Sequence, residues 1–174
     1  MGGPGRFCGH RPIDDPRASQ KGVGRVNLTN NLFDWANLLV LPCWALLIVF
    51  PRASWTHRIF GHPRLGPPHL FALFYVLTVV PAVLADPGAL AVLTRPTLVG
   101  VQALLGSPSG AAAGWIHYLC FDLFVGTLIW RSAVRRSQSF RWVSPLLVLV
   151  LMVGPLGWLA YEAVSWGTRP AGEA

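Results

Sequence analysis

Apolar residues fill four stretches of this chain: residues 35–51, 65–85, 96–130 and 142–161, in which Asp122 is the only charged residue. About 20 apolar residues in a helix cross the ~30 Å hydrocarbon core of a bilayer. Lipid offers no hydrogen-bond partners to bare backbone, so a spanning segment of this kind has to be helical. The pattern therefore predicts four transmembrane helices, at residues 32–50, 70–85, 114–130 and 142–164.

The rest of the chain is interpreted around these helices. Between the second and third helices, the apolar run 98–105 is too short to span, which predicts a short amphipathic or re-entrant segment. The predicted fold class is an all-α membrane protein, a four-transmembrane-helix bundle over residues 30–166. Residues 1–29 lack the apolar run of a signal peptide and are predicted to be a disordered N-terminal tail, or to lie upstream of the true start. Residues 167–174 form a C-terminal tail.

Tryptophan and arginine suggest where the membrane surfaces lie. Five tryptophans fall near predicted helix ends, where interface anchoring is the default interpretation. Four spans would place both termini on one side and the first and third loops on the other. Those two loops carry seven arginines, against five basic residues near the opposite helix ends. The positive-inside rule then predicts cytoplasmic first and third loops. The arginine-rich loops and the lack of a transit peptide favour a bacterial plasma membrane. The tryptophans are Trp35, Trp115, Trp130, Trp142 and Trp166.

Composition and charge exclude several function classes. Hydrophobic residues make up 53% of the chain and charged residues 12%, which is unlike a soluble domain. The net charge is +7, yet no dense basic stripe suggests a nucleic-acid partner. Cys8, Cys43 and Cys120 form no CxxC motif, and only His117 among the histidines lies in a span, so neither a metal site nor a haem is predicted. No cofactor is expected.

Asp122 is the most informative residue, because it lies seven residues from Trp115 and eight from Trp130. That spacing places it near the bilayer midplane, where an acidic residue costs about 2.5–3.5 kcal/mol on insertion scales. One interpretation is a structural hydrogen bond between helices, for example to Ser144. The other is a catalytic or substrate-orienting acid, which is favoured because intramembrane acids commonly mark function.

His117 lies on the same predicted helix but on a different face. At ~100° per residue its side chain points about 140° away from that of Asp122, and about 7.5 Å separates them along the axis. A substrate or another helix would have to connect them. Tyr118 shares the face of Asp122, whereas Phe121 and Phe124 share that of His117. The alternative is a histidine that is merely solvated at the interface.

Four spans would also gather several polar residues at one membrane surface. Asp34, Asp86, His117 and Glu162 would then fall at helix ends on the side of the termini. This arrangement is either a polar mouth leading to Asp122 or a set of acids excluded from the arginine-rich side.

Residues 114–124, GWIHYLCFDLF, resemble the WIH-x₄-DLF core of the abscisic-acid-deficient-four-like family of small membrane proteins. Residues 37–44 (NLLVLPCW), Pro51 and residues 154–157 (GPLG) also match, so the resemblance extends over residues 30–165. Plant members of this family act in plastids as neoxanthin synthases or as factors required for neoxanthin formation. The resemblance therefore implies a redox-neutral isomerisation of a carotenoid or related isoprenoid.

The resemblance also suggests roles for individual residues. Isomerising an epoxy-carotenoid needs a proton donor at the epoxide oxygen and a base for a polyene proton. Asp122 is the candidate acid, His117 the candidate base and Tyr118 a supporting residue. A non-catalytic isoprenoid-binding protein or a helper subunit is the competing class. A pigment-pathway enzyme or a second copy is the expected protein partner. Trp115, Phe121 and Phe124 are the candidate substrate-binding residues.

Overall fold

The computed structural model describes residues 16–62 and 65–166, and every regular element in them is a helix. The helices follow the chain with short connections, as expected when each segment must satisfy its own backbone hydrogen bonds. They are α1 (Pro16–Ile48), α2 (Ser54–Phe60), α3 (Pro67–Ala85), α4 (Pro87–Thr94), α5 (Leu98–Gly106), α6 (Pro108–Arg135), α7 (Phe140–Met152) and α8 (Gly154–Trp166).

Three of these helices are long and apolar enough to cross a membrane: Asn27–Ile48 within α1, Pro67–Leu84 within α3, and α6. They correspond to the first three predicted spans. α6 packs against both α1 and α3, which places it at the centre of the fold. The core between α1, α6 and α7 is built from fully buried Ile116, Leu123 and Leu147.

The predicted single fourth span is wrong, because α7 and α8 form a helical hairpin. The rings of Trp142 and Tyr161 stack with their centroids 6.0 Å apart. In one continuous helix, residues 19 positions apart would be separated by about 28 Å. The Tyr161 hydroxyl also donates to Oε1 of Gln138 in the α6–α7 connection, at 3.0 Å. The chain therefore enters along α7 and returns along α8, and the four-helix bundle is not confirmed.

The reversal has a local cause at the junction. α7 ends where the Val153 amide donates to the Leu149 carbonyl, and Val153 itself leaves the helical conformation with φ −147°. Pro155 follows, which has no N–H to continue the ladder and fits the first turn of a new helix. Gly157 then lies directly against the backbone of Val150, so the two helices approach closely. A proline between two glycines therefore turns the chain instead of bending a span.

Gly157→Ala should loosen this hairpin. A Cβ at Gly157 would lie 2.6 Å from Cα of Val150, where only movement of backbone could relieve the overlap. We expect the free energy of unfolding to fall by about 1–3 kcal/mol, as overpacking does in other closely packed sites. Thermal unfolding in detergent measures the effect. Gly106→Ala is the matched control, because nothing lies within 4 Å of its added Cβ. Equal unfolding temperatures for both variants would contradict the close packing of the hairpin.

The first and third loops lie together at one end of the molecule, which we call the arginine end. Nε1 of Trp130 donates to the Pro51 carbonyl at 2.8 Å, and Arg131 donates to the carbonyls of Phe60 and His62. The hairpin starts and finishes at this end, so α8 does not end on the predicted side. Trp130 is only 1% exposed and its N–H donates to the protein, so its predicted role as an anchor at the membrane–water interface is also wrong.

The connecting and terminal segments complete the fold. α4 and α5 occupy the connection between α3 and α6, and α5 coincides closely with the predicted non-spanning run at residues 98–105. The structure does not confirm a re-entrant path for them. α1 begins at Pro16, inside the segment predicted as a disordered tail. Residues 1–15 and 167–174 lie outside the described residues.

Candidate functional site

The six predicted site residues all lie on α6, but they occupy different faces of it. His117, Phe121 and Phe124 lie on the side packed against α3. Trp115 and Asp122 lie on the side of α1 and the hairpin. Tyr118 lies between the two groups and is 66% exposed. The structure therefore separates the predicted site residues into two groups on different sides of α6.

Trp115 is fixed to α1 by a side-chain hydrogen bond. Its Nε1 donates to Oδ1 of Asn37 at 2.9 Å. The Asn37 amide nitrogen in turn donates to the Phe33 carbonyl at 2.7 Å. An open cleft of about 440 Å³, lined by Phe33 and Trp115, adjoins this contact. The indole is therefore engaged in joining two helices.

Asp122 packs against the tip of the hairpin. A Cβ at Gly154 would overlap its Oδ1, so the carboxyl group lies directly against the glycine backbone. Gly154 is the first residue of α8, and a helix N-terminus favours a nearby negative charge. The predicted bond to Ser144 is wrong, because the Ser144 hydroxyl donates to the Ile48 carbonyl at 2.9 Å. Asp122 therefore contacts a part of the fold that the sequence did not predict.

His117 is surrounded by aromatic rings from two helices. Its ring stacks on Phe121, with centroids 4.6 Å apart and an interplanar angle of 30°. Tyr75 of α3 approaches it edge-on at 5.2 Å. No hydrogen bond orients the imidazole within the residues that the structure describes. Its two nitrogens are therefore left for a ligand or for water.

A cavity of about 280 Å³ opens beside His117, between α3, α4, α5 and α6. Its wall is mostly apolar, which suits a lipid-like ligand better than a polar metabolite. The residues in it that carry hydroxyl, carboxyl or imidazole groups are Tyr75, Asp86, Ser107, Ser109 and His117.

Two of these polar residues begin helices. Oδ1 of Asp86 accepts from the Gly88 amide at 2.9 Å, and the Ser107 hydroxyl accepts from the Gly110 amide at 3.1 Å. Each is an N-cap that precedes a proline, a start signal that can be read in the sequence. Tyr75, by contrast, carries no such signal. Its position beside His117 follows only from the packing of α3 on α6.

A second cavity, of about 300 Å³, lies along the same seam between α3 and α6. Phe121 and Phe124 line it, together with Cys120, whose thiol donates to the Pro68 carbonyl at 3.6 Å. Phe121 also stacks on His117, so the two cavities meet at this pair of rings. We refer to both cavities together as the α3–α6 groove.

Asp122 lies outside this groove, and the structure does not bring it together with His117. The predicted polar mouth is only partly formed. Asp86 and His117 share a cavity, but Glu162 follows Tyr161 at the arginine end. Within the described ranges, no group of three or more His, Cys, Asp or Glu residues could hold a metal ion.

Comparison with known protein families gives a significant match. The model of the ABA DEFICIENT 4-like family matches residues 31–161, which include all of α3 and α6, residues 31–48 of α1 and most of the hairpin. No curated protein and no solved structure matches significantly. The matched region contains His117, Asp122 and the whole α3–α6 groove.

Proposed function

This chain belongs to the ABA DEFICIENT 4-like family, and from that premise we propose that it isomerises a carotenoid or related isoprenoid inside the bilayer. The substrate binds in the α3–α6 groove, and the reaction leaves its redox state unchanged. The observation that carries the proposal is the exposed imidazole of His117 in a groove that is otherwise largely apolar. Such a groove accepts a long hydrocarbon directly from the membrane.

The chemistry follows from the groups that share the cavity. His117 takes a proton from the polyene, and the Tyr75 hydroxyl gives one to the substrate oxygen as a carbon–oxygen bond breaks. One proton is added and one is removed, so no oxidant or reductant is needed. Tyr75 is preferred as the donor because the Asp86 carboxylate already accepts from Gly88. Asp122, the acid suggested by the sequence, faces the hairpin instead.

A second candidate is a protein that binds an isoprenoid without converting it, as a helper subunit of a pigment-pathway enzyme. One observation favours it: no hydrogen bond holds the His117 ring in place among the described residues. A catalytic histidine is usually oriented by such a bond to its second nitrogen. The same groove would then store or present the ligand.

We also propose that the arginine end faces the cytoplasm of a bacterial cell. The first and third loops meet at that end, and cytoplasmic loops carry the excess of arginine and lysine. The hairpin opens toward the same end. Labelling of cysteines placed in the connections and in α8 can therefore assign the two ends of the molecule to sides of the membrane.

Co-expression with defined carotenoid precursors, followed by pigment chromatography, tests the isomerase. We expect a new product with the same mass as its precursor. His117→Gln and Tyr75→Phe should each reduce it at least about 100-fold, the scale of general acid–base catalysis. His57→Gln is the matched control, because His57 is an exposed histidine at the arginine end, with its ring beside Trp130.

The outcomes separate the two candidates. Pigment that co-purifies unchanged with the wild type and both variants would support the binding protein and refute the isomerase. A product that persists in His117→Gln would remove His117 from the mechanism. If no precursor is bound or converted, both versions of the proposal fail.

A further inference from the structure

The arginine end carries a concentrated positive surface. Residues 49–67 and 129–142 contain no aspartate or glutamate. Glu162 of α8 follows Tyr161, which bonds Gln138 at this end, and its single negative charge offsets only part of the positive charge. We define the arginine face as Arg52, Arg58, Arg131, Arg135, Arg136 and Arg141; all of these are exposed except the partly buried Arg131.

Contacts between four segments make this a single surface. Arg131 of α6 donates to the carbonyls of Phe60 and His62, which fixes the end of α2. The guanidinium of Arg52 lies 5.8 Å from the ring centroid of Phe140 at the start of α7. The arginines of separate loops are therefore held side by side.

Large apolar side chains are interspersed with these charges. α2 buries Thr56 and Phe60, whereas Trp55 is 54% exposed and Ile59 is 41% exposed. The Trp55 ring lies 5.7 Å from that of Phe50, which is itself exposed. Exposed tryptophan and isoleucine beside arginine suit the headgroup layer, where rings and acyl chains mix with phosphates.

We propose that the arginine face binds the headgroups of anionic phospholipids. Guanidinium groups pair with phosphate oxygens in a two-pronged geometry, and the exposed arginines can each make such a contact. Trp55 and Ile59 would insert between the adjoining acyl chains. A lipid is the fitting occupant because this surface lies at the ends of three membrane-crossing helices, where the phosphate layer lies.

The test measures thermal unfolding of the purified full-length protein in detergent while phosphatidylglycerol or phosphatidylcholine is added. We expect only phosphatidylglycerol to raise the unfolding temperature. Arg135→Gln/Arg136→Gln should weaken its apparent affinity roughly 30-fold at low salt, since each basic residue contributes about a factor of five. Arg58→Gln, on another segment, should weaken it about fivefold. Arg95→Gln, an exposed arginine in the α4–α5 connection, is the control and should bind normally.

Several results would overturn the proposal. Equal stabilisation by phosphatidylcholine would show that the headgroup charge is irrelevant. Equal stabilisation by inorganic phosphate would show that the surface binds a free anion, not a lipid. An equal loss of affinity in Arg95→Gln would show that binding depends only on the net charge of the protein. If the double variant fails to fold without lipid, an unchanged affinity in Arg58→Gln still contradicts the proposal.

Discussion

Cysteines introduced by Ser137→Cys and Ala163→Cys are expected to react with a membrane-impermeant maleimide from the same side of the membrane, and Pro96→Cys from the opposite side. Ser137 lies in the α6–α7 connection, Ala163 in the last turn of α8 and Pro96 between α4 and α5. The helical hairpin requires this result, because α8 returns to the end where α7 begins. The labelling is done in a chain whose three native cysteines are replaced by serine.

One continuous helix in place of the hairpin would give a different labelling result. If residues 140–166 formed one helix, these 27 residues would extend about 40 Å, which is enough to cross the bilayer. Ala163→Cys would then react from the same side as Pro96→Cys, and the hairpin would be refuted. The cysteine-free chain shows the background of the label. A second, membrane-permeant maleimide shows that all three cysteines are reactive when the membrane does not limit access.

Hydropathy predicted the three long helices because burying charged side chains in the bilayer is costly. Few stretches of the chain are both long enough and sufficiently free of charge to span it. The same reasoning failed at α7 and α8, since a span and a returning hairpin have the same apolar composition. Proline alone did not distinguish them either. Pro42 and Pro81 lie inside α1 and α3, where those helices continue. Pro155 differs in its flanking Gly154 and Gly157, which allow the chain to turn tightly and the two helices to touch.

The candidate site was predictable to the extent that it lies on one helix. Helical periodicity placed His117 and Asp122 on different faces of α6, and the structure separates them in that way. Periodicity could not predict which residues of other helices lie beside them. Contacts between helices depend on how the helices pack, and the spacing of residues within α6 does not determine that packing. Tyr75 reaches His117 from α3, and Gly154 reaches Asp122 from α8. The roles assigned to these side chains remain predictions.

The contact at the hairpin tip predicts a coupling between Gly154 and Asp122. Gly154→Ala should lower the free energy of unfolding by about 1 kcal/mol, the lower end of the overpacking range, because its Cβ would overlap only the carboxyl group, which has to turn aside. In an Asp122→Ala background that overlap is gone, so the same substitution should cost far less. The difference between the two backgrounds, obtained from unfolding in detergent, is the coupling energy. Gly126→Ala is the control, since its Cβ would meet Trp44 and should cost the same in both backgrounds.

Equal costs of Gly154→Ala in the two backgrounds would show that Asp122 does not support the hairpin. Asp122→Asn then distinguishes packing from chemistry, because the amide keeps the shape of the carboxyl group but loses its charge and its acidity. If Asp122 positions the hairpin, this variant should unfold near the wild-type temperature, and pigment conversion should follow His117 and Tyr75. A loss of conversion at an unchanged unfolding temperature would instead assign Asp122 a chemical role and move the reaction from the α3–α6 groove to the hairpin side of α6.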